Sequence, residues 1–203
     1  GGLARRMKPA TEVTRTLASY IVASKYADIP APVRHEAARA LLNCVGCAIG
    51  ASHHETVENA LAALREFSGP PQAAILGRSE RLDVLNAALI NGISTHVLDY
   101  DDTHARAVHP SAPVWPALLA FAEWRKTSGA ELVHAFVLGV ETECRIGLSV
   151  FPEHYERGWH ITGTAGVFGA AAAAGKLIGL NEQQMAWALG IAATQSAGLR
   201  EMF

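Results

Sequence analysis

The segment "DIPAPVRHEAARALLNCVGCAIG", Asp28–Gly50, decides how the rest of the chain is read. Its prolines suit a first helical turn, where the missing N–H costs no hydrogen bond. Behind them Val33, Ala37, Leu41, Cys44, Val45 and Ala48 recur at three- and four-residue intervals, the period of one buried helix face. Cys44 and Cys47 form a C-x-x-C within that pattern. Redox or zinc use would need a second pair or a strand-to-helix context, and the sequence offers neither. The two thiols are therefore read as core packing.

Working outward, the same period returns on both sides. Thr11 is placed to cap a helix carrying Val13, Leu17, Tyr20 and Ile21, and a third helix covers Glu55–Phe67 before stopping at "SGPP". Asp83 can cap a helix through "VLNAALINGISTHVLD", and Ser111, ahead of two prolines, can open "SAPVWPALLAFAEWRKTSG". Three more helical stretches follow: "GAELVHAFVLGVETECRIGLSV", "TGTAGVFGAAAAAGKLIG" and "NEQQMAWALGIAATQSAG". Only "AAILGRSERLD" can hold a short strand, with a turn at Gly77–Arg78–Ser79. The expected fold class is all-α, a multi-helix bundle-like domain whose Ala- and Gly-rich helices let backbones approach closely.

Composition narrows the function classes. The chain has 203 residues, half of them hydrophobic and 18% charged, which argues against disorder. Its net charge of −2, with no basic run longer than Arg5–Arg6, argues against a nucleic-acid partner. The best apolar run, Ala165–Ala174, is short and broken by glycine, so no membrane span is expected. No apolar stretch follows Arg5–Arg6 as a secretory signal would require. Three cysteines, an odd number, fit a reducing and cytoplasmic setting better than a disulfide framework.

The chemistry-bearing stretch is "HVLDYDDTHARAVHPSAP", His96–Pro113. If the preceding helix ran one turn further, Asp99 and Thr103 would share a face, with His96 three residues before Asp99. His109 follows, held extended by Pro110. A carboxylate beside an imidazole fixes its tautomer and raises its basicity, which makes a general base for near-neutral pH. Metal motifs fit poorly. A D-D-x-x-D needs an acid where Ala105 stands, and an EF-hand loop counted from Asp99 needs Gly and Glu where His104 and Pro110 stand. Glu131-x-x-His134 is half of a helical di-iron pattern without its partner. From these residues alone, a solvated loop whose aspartates cap helix ends stands beside the acid–base reading.

A second candidate is "ERGWHITGTAGVFG", where His160 precedes a helix start and its free N–H groups, a setting suited to carboxylates or phosphates. Gly163, Gly166 and Gly169 are spaced G-x-x-G-x-x-G, with no strand before them. They read as helix packing and not as a dinucleotide fingerprint.

Together "NGISTHVLDYDDTHARAVHPSAPVWPALLA", "GWHITGTAGVFGAAAAAGKLIGL", "ALGIAATQSAGLREMF" and "ARALLNCVGCAIGA" resemble the 2-methylcitrate dehydratase (MmgE/PrpD) family, which includes cis-aconitate decarboxylases and iminodisuccinate epimerases. The resemblance implies a large helical domain with a smaller α+β lid, usually in a homodimer, with no metal and no organic cofactor. It implies small di- or tricarboxylate substrates and proton transfer at a carbon next to a carboxylate, coupled to loss of water, loss of CO₂ or inversion. By position it makes Asp99, His109 and His160 catalytic and Thr103 substrate-binding. His109 would move the proton, Asp99 would orient it, and His160 would bind a carboxylate or serve as acid. Asp101, Asp102 and His104 are left to the loop. The family's lysine-bearing segment and lid follow a "GLREMF"-like stretch, so residues 1–203 are expected to be the N-terminal portion of the helical domain. The default activity is a 2-methylcitrate-type hydro-lyase. A decarboxylase or epimerase, and a non-catalytic helical oligomerisation fragment, are the alternatives.

Overall fold

The computed structural model describes residues 10–104 and 108–202. Helices α1 (Ala10–Ala23), α2 (Ala31–Gly50) and α3 (Glu55–Arg65) lead into a two-stranded hairpin, β1 (Ala73–Ala74) and β2 (Arg81–Leu82). The strands are antiparallel, Ala73 opposite Leu82, and Gly77 makes the turn at φ 77°. Then come α4 (Val84–His96), α5 (Ser111–Trp124), α6 (Gly129–Val150), α7 (Glu153–Glu156), α8 (Ile161–Leu177) and α9 (Glu182–Thr194). The all-α class holds: apart from the hairpin and two isolated bridges, the described residues carry no strand. No described helix is long and apolar enough to cross a membrane.

Local chemistry sets the helix ends. Asp83 caps α4 through the N–H groups of Leu85 and Asn86, as its position predicts. Ser128 with Glu131, and Asn181 with Gln184, form capping boxes at α6 and α9. Glu131 is thus spent on a cap, while His134 meets the Ser24 hydroxyl at 2.9 Å, so the E-x-x-H pattern is structural. Two expected caps fail. Helix α1 begins at Ala10, before Thr11. Helix α5 already includes Ser111, whose N–H and hydroxyl both donate to the Asp102 carboxylate, so the cap arrives from nine residues upstream.

Packing builds three main apolar clusters. One gathers α2, α5, α6 and α8 around Trp115, which stacks on Phe136 at 4.3 Å. Cys44 lies in it at 0% exposure, and burial pushes its thiol up to about 12, so the helix-face reading of the C-x-x-C stands. A second cluster packs α3, the hairpin, α4 and α5. The third joins α1, α6, α8 and α9 around Ile21, Leu138 and Met185. Lys176 of α8 donates to the carbonyls of Ile21, Val22 and Ser24, placing a cation on the negative end of α1.

Helices α6 and α8 run so close that glycine is obligatory between them. A Cβ on Gly139 would lie 2.8 Å from the Gly169 carbonyl oxygen, and, on the side of α8 that faces α5, one on Gly166 would meet Pro113 at 2.5 Å. Of the spaced glycines of α8, Gly166 and Gly169 serve helix packing, whereas Gly163 lies against the Ala197 carbonyl of the segment after α9, and the close approach at Gly166 brings the start of α8 against the start of α5.

Candidate active site

Helix α4 stops at His96 because Asp99 adopts φ 49°, a left-handed conformation that aspartate tolerates better than most residues. Its N–H closes the turn on the His96 carbonyl at 2.8 Å. The helix therefore does not run on to Thr103, and the expected shared face of Asp99 and Thr103 does not form. The chain instead swings toward α2, where the Asp102 N–H donates to Asn43 Oδ1 at 3.0 Å. Thr103 is exposed and lines a separate cavity of about 550 Å³ beside Asn43, Asp102 and Glu141. No hydrogen bond joins it to Asp99 or His109 among the described residues.

The reversal aims Asp101 inward. Its side chain has 0% exposure, and Oδ1 takes a hydrogen bond from His96 Nδ1 at 2.9 Å. The same oxygen lies 3.3 Å from His109 Nδ1. Burial works to raise the Asp101 pKa, but the His109 and His96 contacts outweigh it and hold the carboxyl at about 2. Asp101 is therefore an ionised hub and not a loop residue. Asp102, beside it, caps α5. Desolvation raises its pKa.

His109 is fixed from three directions. Val108 is buried against Cys144, Ile161 and Ala165. The His109 N–H donates to Thr162 Oγ1 at 3.0 Å, tying the loop to the first turn of α8. Pro110 then leads into α5. The ring keeps Nε2 at 3.5 Å from Asp99 Oδ1, the one predicted pair brought together. The Asp101 contact raises the His109 pKa against the opposing effect of partial burial, with Asp99 and Asp102 adding charge in the same direction.

His160 stands at the N-cap of α8, its N–H bonded to the Gly198 carbonyl. Its ring lies parallel to that of His96, with centroids 6.0 Å apart, and His96 meets His109 edge-on at 4.6 Å. Burial lowers the His160 pKa, and the neighbouring imidazoles His96 and His109 lower it further. That direction favours a neutral His160 and weighs against its use as the acid. His96 and His160 line one end of a cavity of about 580 Å³, whose other walls include Ile93, Pro113, Gly163 and Gly166. The three imidazoles thus form one row, with Asp101 beneath it and Asp99 at its exposed edge.

Sequence reasoning left Asp101 to the loop because its contacts depend on the left-handed turn at Asp99. It also missed Glu143, a carboxyl at 0% exposure under the α8 glycines, although a lone glutamate at a core position of a helical period was a legible oddity.

The sequence that builds this helical domain matches a protein family and several named relatives. Residues 15–203 match the model of the MmgE/PrpD N-terminal domain, and the chain belongs to that family. It is 34% identical over 200 residues to the cis-aconitate decarboxylase-like protein oryM of Aspergillus oryzae, covering 94% of this chain and 42% of that protein. It is 33% identical over 179 residues to cis-aconitate decarboxylase of Aspergillus terreus, 85% of this chain and 36% of the relative. The mouse cis-aconitate decarboxylase is 30% identical over 190 residues, 91% of this chain and 39% of its own length. The chain thus spans about two fifths of the length of these relatives, which are enzymes by name.

Proposed function

We propose that this chain carries the acid–base half of a lyase site acting on a small di- or tricarboxylate, with proton transfer at a carbon next to a carboxylate. The observation that carries the reading is the pairing of His109 with the ionised, buried Asp101 on one side and Asp99 on the other. Two imidazoles whose surroundings push them apart, His109 up and His160 down, divide acid from base. His109 in its protonated form delivers a proton to substrate carbon. His160, neutral at the start of α8, accepts a proton or helps seat a carboxylate where helix N–H groups favour an anion.

The names of the relatives favour decarboxylation of a cis-aconitate-like substrate. The electron pair of the breaking C–C bond moves into the unsaturated carbon frame, CO₂ leaves, and the proton from His109 completes the product. The same groups suit dehydration of a 2-methylcitrate-type substrate, where a base removes a proton and the acid protonates the leaving hydroxyl. Asp101 and His96 act through His109 as positioning residues in either case. No described contact brings Thr103 to the histidine row, so its substrate-binding role rests on resemblance alone.

Titrating the chain with cis-aconitate and following histidine ring resonances tests the reading. Shifts in His109 and His160 are expected. Unchanged spectra for both would remove the acid–base site and favour a helical module without catalysis.

A further inference from the structure

Asp101 Oδ2 is buried and accepts no hydrogen bond among the described residues, on a side chain with 0% exposure. Around that carboxylate, His96, Asp99, Asp101 and His109 each offer one donor atom, all within 4.8 Å of one another. We propose that these four residues form a site for a borderline dication of the Zn²⁺ class, and that an ion there blocks the proton chemistry of His109. The ion is an inhibitor on this reading, not a cofactor.

The donor set carries the choice of ion. Two imidazoles with two carboxylates suit Zn²⁺ and its neighbours, whereas Mg²⁺ and Ca²⁺ prefer oxygen alone. The spacing fits as well. Asp101 Oδ1 lies 2.9 Å from His96 Nδ1 and 3.3 Å from His109 Nδ1. Donors about 2.0–2.2 Å from a common ion stand roughly 3.0–3.6 Å apart at bond angles of roughly 90–120°. Asp99 Oδ1 faces His109 Nε2 at 3.5 Å, the far side of that ring from Asp101, and its 67% exposed side chain swings round to the Nδ1 side to close the set. Two carboxylates balance the charge of a dication, and the cavity lined by His96 and His160 provides an entry path. The ion replaces the proton between His96 Nδ1 and Asp101 Oδ1 and the proton on His109 Nδ1, and both leave to solvent. With Nδ1 on the ion, the His109 ring can no longer be the doubly protonated acid that donates to substrate carbon, so metal binding and that acid role exclude each other. Only this consequence for activity rests on the function proposed above; the binding itself does not.

The decisive measurement is competition between the metal-free chain and a fluorescent zinc chelator. One equivalent of Zn²⁺ is expected per chain, with at least tenfold weaker binding in Asp99→Asn and in His96→Gln. Asp99 is exposed, so Asp99→Asn keeps the fold, and circular dichroism checks both variants. The buried thiols are competing soft ligands close to the same loop: Cys47 Sγ donates to the Tyr100 carbonyl at 3.5 Å. A Cys44→Ala/Cys47→Ala chain is expected to keep full affinity, and Co²⁺ to give a visible spectrum without a thiolate charge-transfer band. Equal affinity in Asp99→Asn and His96→Gln, or loss of binding with the cysteines, overturns the site. Zinc binding that fails while cis-aconitate still shifts His109 rejects this inference alone. Zinc binding without any carboxylate response rejects the function instead.

Discussion

At the scale of single residues, Asp101 and Glu143 show how one side-chain type is pushed in opposite directions. Asp101 is buried between imidazoles that stabilise its charge, and its pKa is held down at about 2. Glu143 is buried against glycine backbone, and neither carboxyl oxygen has a hydrogen bond among the described residues; burial, and then the charge of Asp102, raise its pKa well above 4.5. Replacing Asp101 with Asn removes the contact that raises the His109 pKa. Turnover in an enzyme containing this domain should fall by about 10²–10⁴, the usual worth of a placed acid or base. The alkaline limb of its pH–rate profile should also move to lower pH. An unmoved limb would show that Asp101 does not tune His109. For Glu143 the sign runs the other way. Its neutral form is held in the fold, so the cost of burial is absent below about pH 4.5 and grows by about 1.4 kcal/mol per pH unit as pH rises toward the raised value. Glu143→Gln should therefore gain stability over the native chain at pH 8 relative to pH 4, as read from urea midpoints. A constant difference across that range would place the group outside the core.

At the scale of elements, the helical period was the legible part and the breaks were not. Apolar spacing located α2, α4, α6, α8 and α9 because burial of one face is a local, repeating demand. The end of α4 turned on one backbone angle, at Asp99, and the cap of α5 on a carboxylate from Asp102. Both depend on chain reversal and tertiary contact, which no periodicity records. His109, His160 and Asp99 were legible as residue types in a loop and at a helix start, whereas the hub Asp101 was not. Glycine separates the local demand from the tertiary one. A methyl added at Gly169 in α8 would lie 2.6 Å from Glu143 Oε2 and 3.0 Å from the Gly139 carbonyl oxygen. A methyl at Gly190 in α9 meets nothing within 4 Å among the described residues. Helix propensity favours alanine at both by up to about 1 kcal/mol. Overpacking costs about 1–3 kcal/mol at the first only. Gly169→Ala should lower the urea midpoint and Gly190→Ala should raise it. Matching signs would mean that α6 and α8 are not held as close as described.

For the whole molecule, the histidine row is also a clamp. His96 ends α4, His109 leads into α5 and bonds the start of α8, and Asp101 joins the two imidazoles. The pH dependence of folding should report that clamp with two different signs. Asp101 has a depressed pKa, so its contribution is present above about 3.8 and is lost as pH falls toward about 2; the shift corresponds to about 2 kcal/mol. His109 has a raised pKa, so its contribution is full below about 6.5 and is lost as pH rises through the higher folded value. Both belong largely to one interaction, so they overlap instead of adding, and the clamp is strongest near pH 5. Comparing the native chain with Asp101→Asn by urea denaturation from pH 2 to 9 should give a difference that peaks there and shrinks on both sides. Ionisation of Glu143 is common to both chains and cancels in that difference. A gap that stayed flat up to pH 9 would mean that Asp101 stabilises the fold by packing and its His96 hydrogen bond alone, leaving His109 free to titrate as an ordinary imidazole.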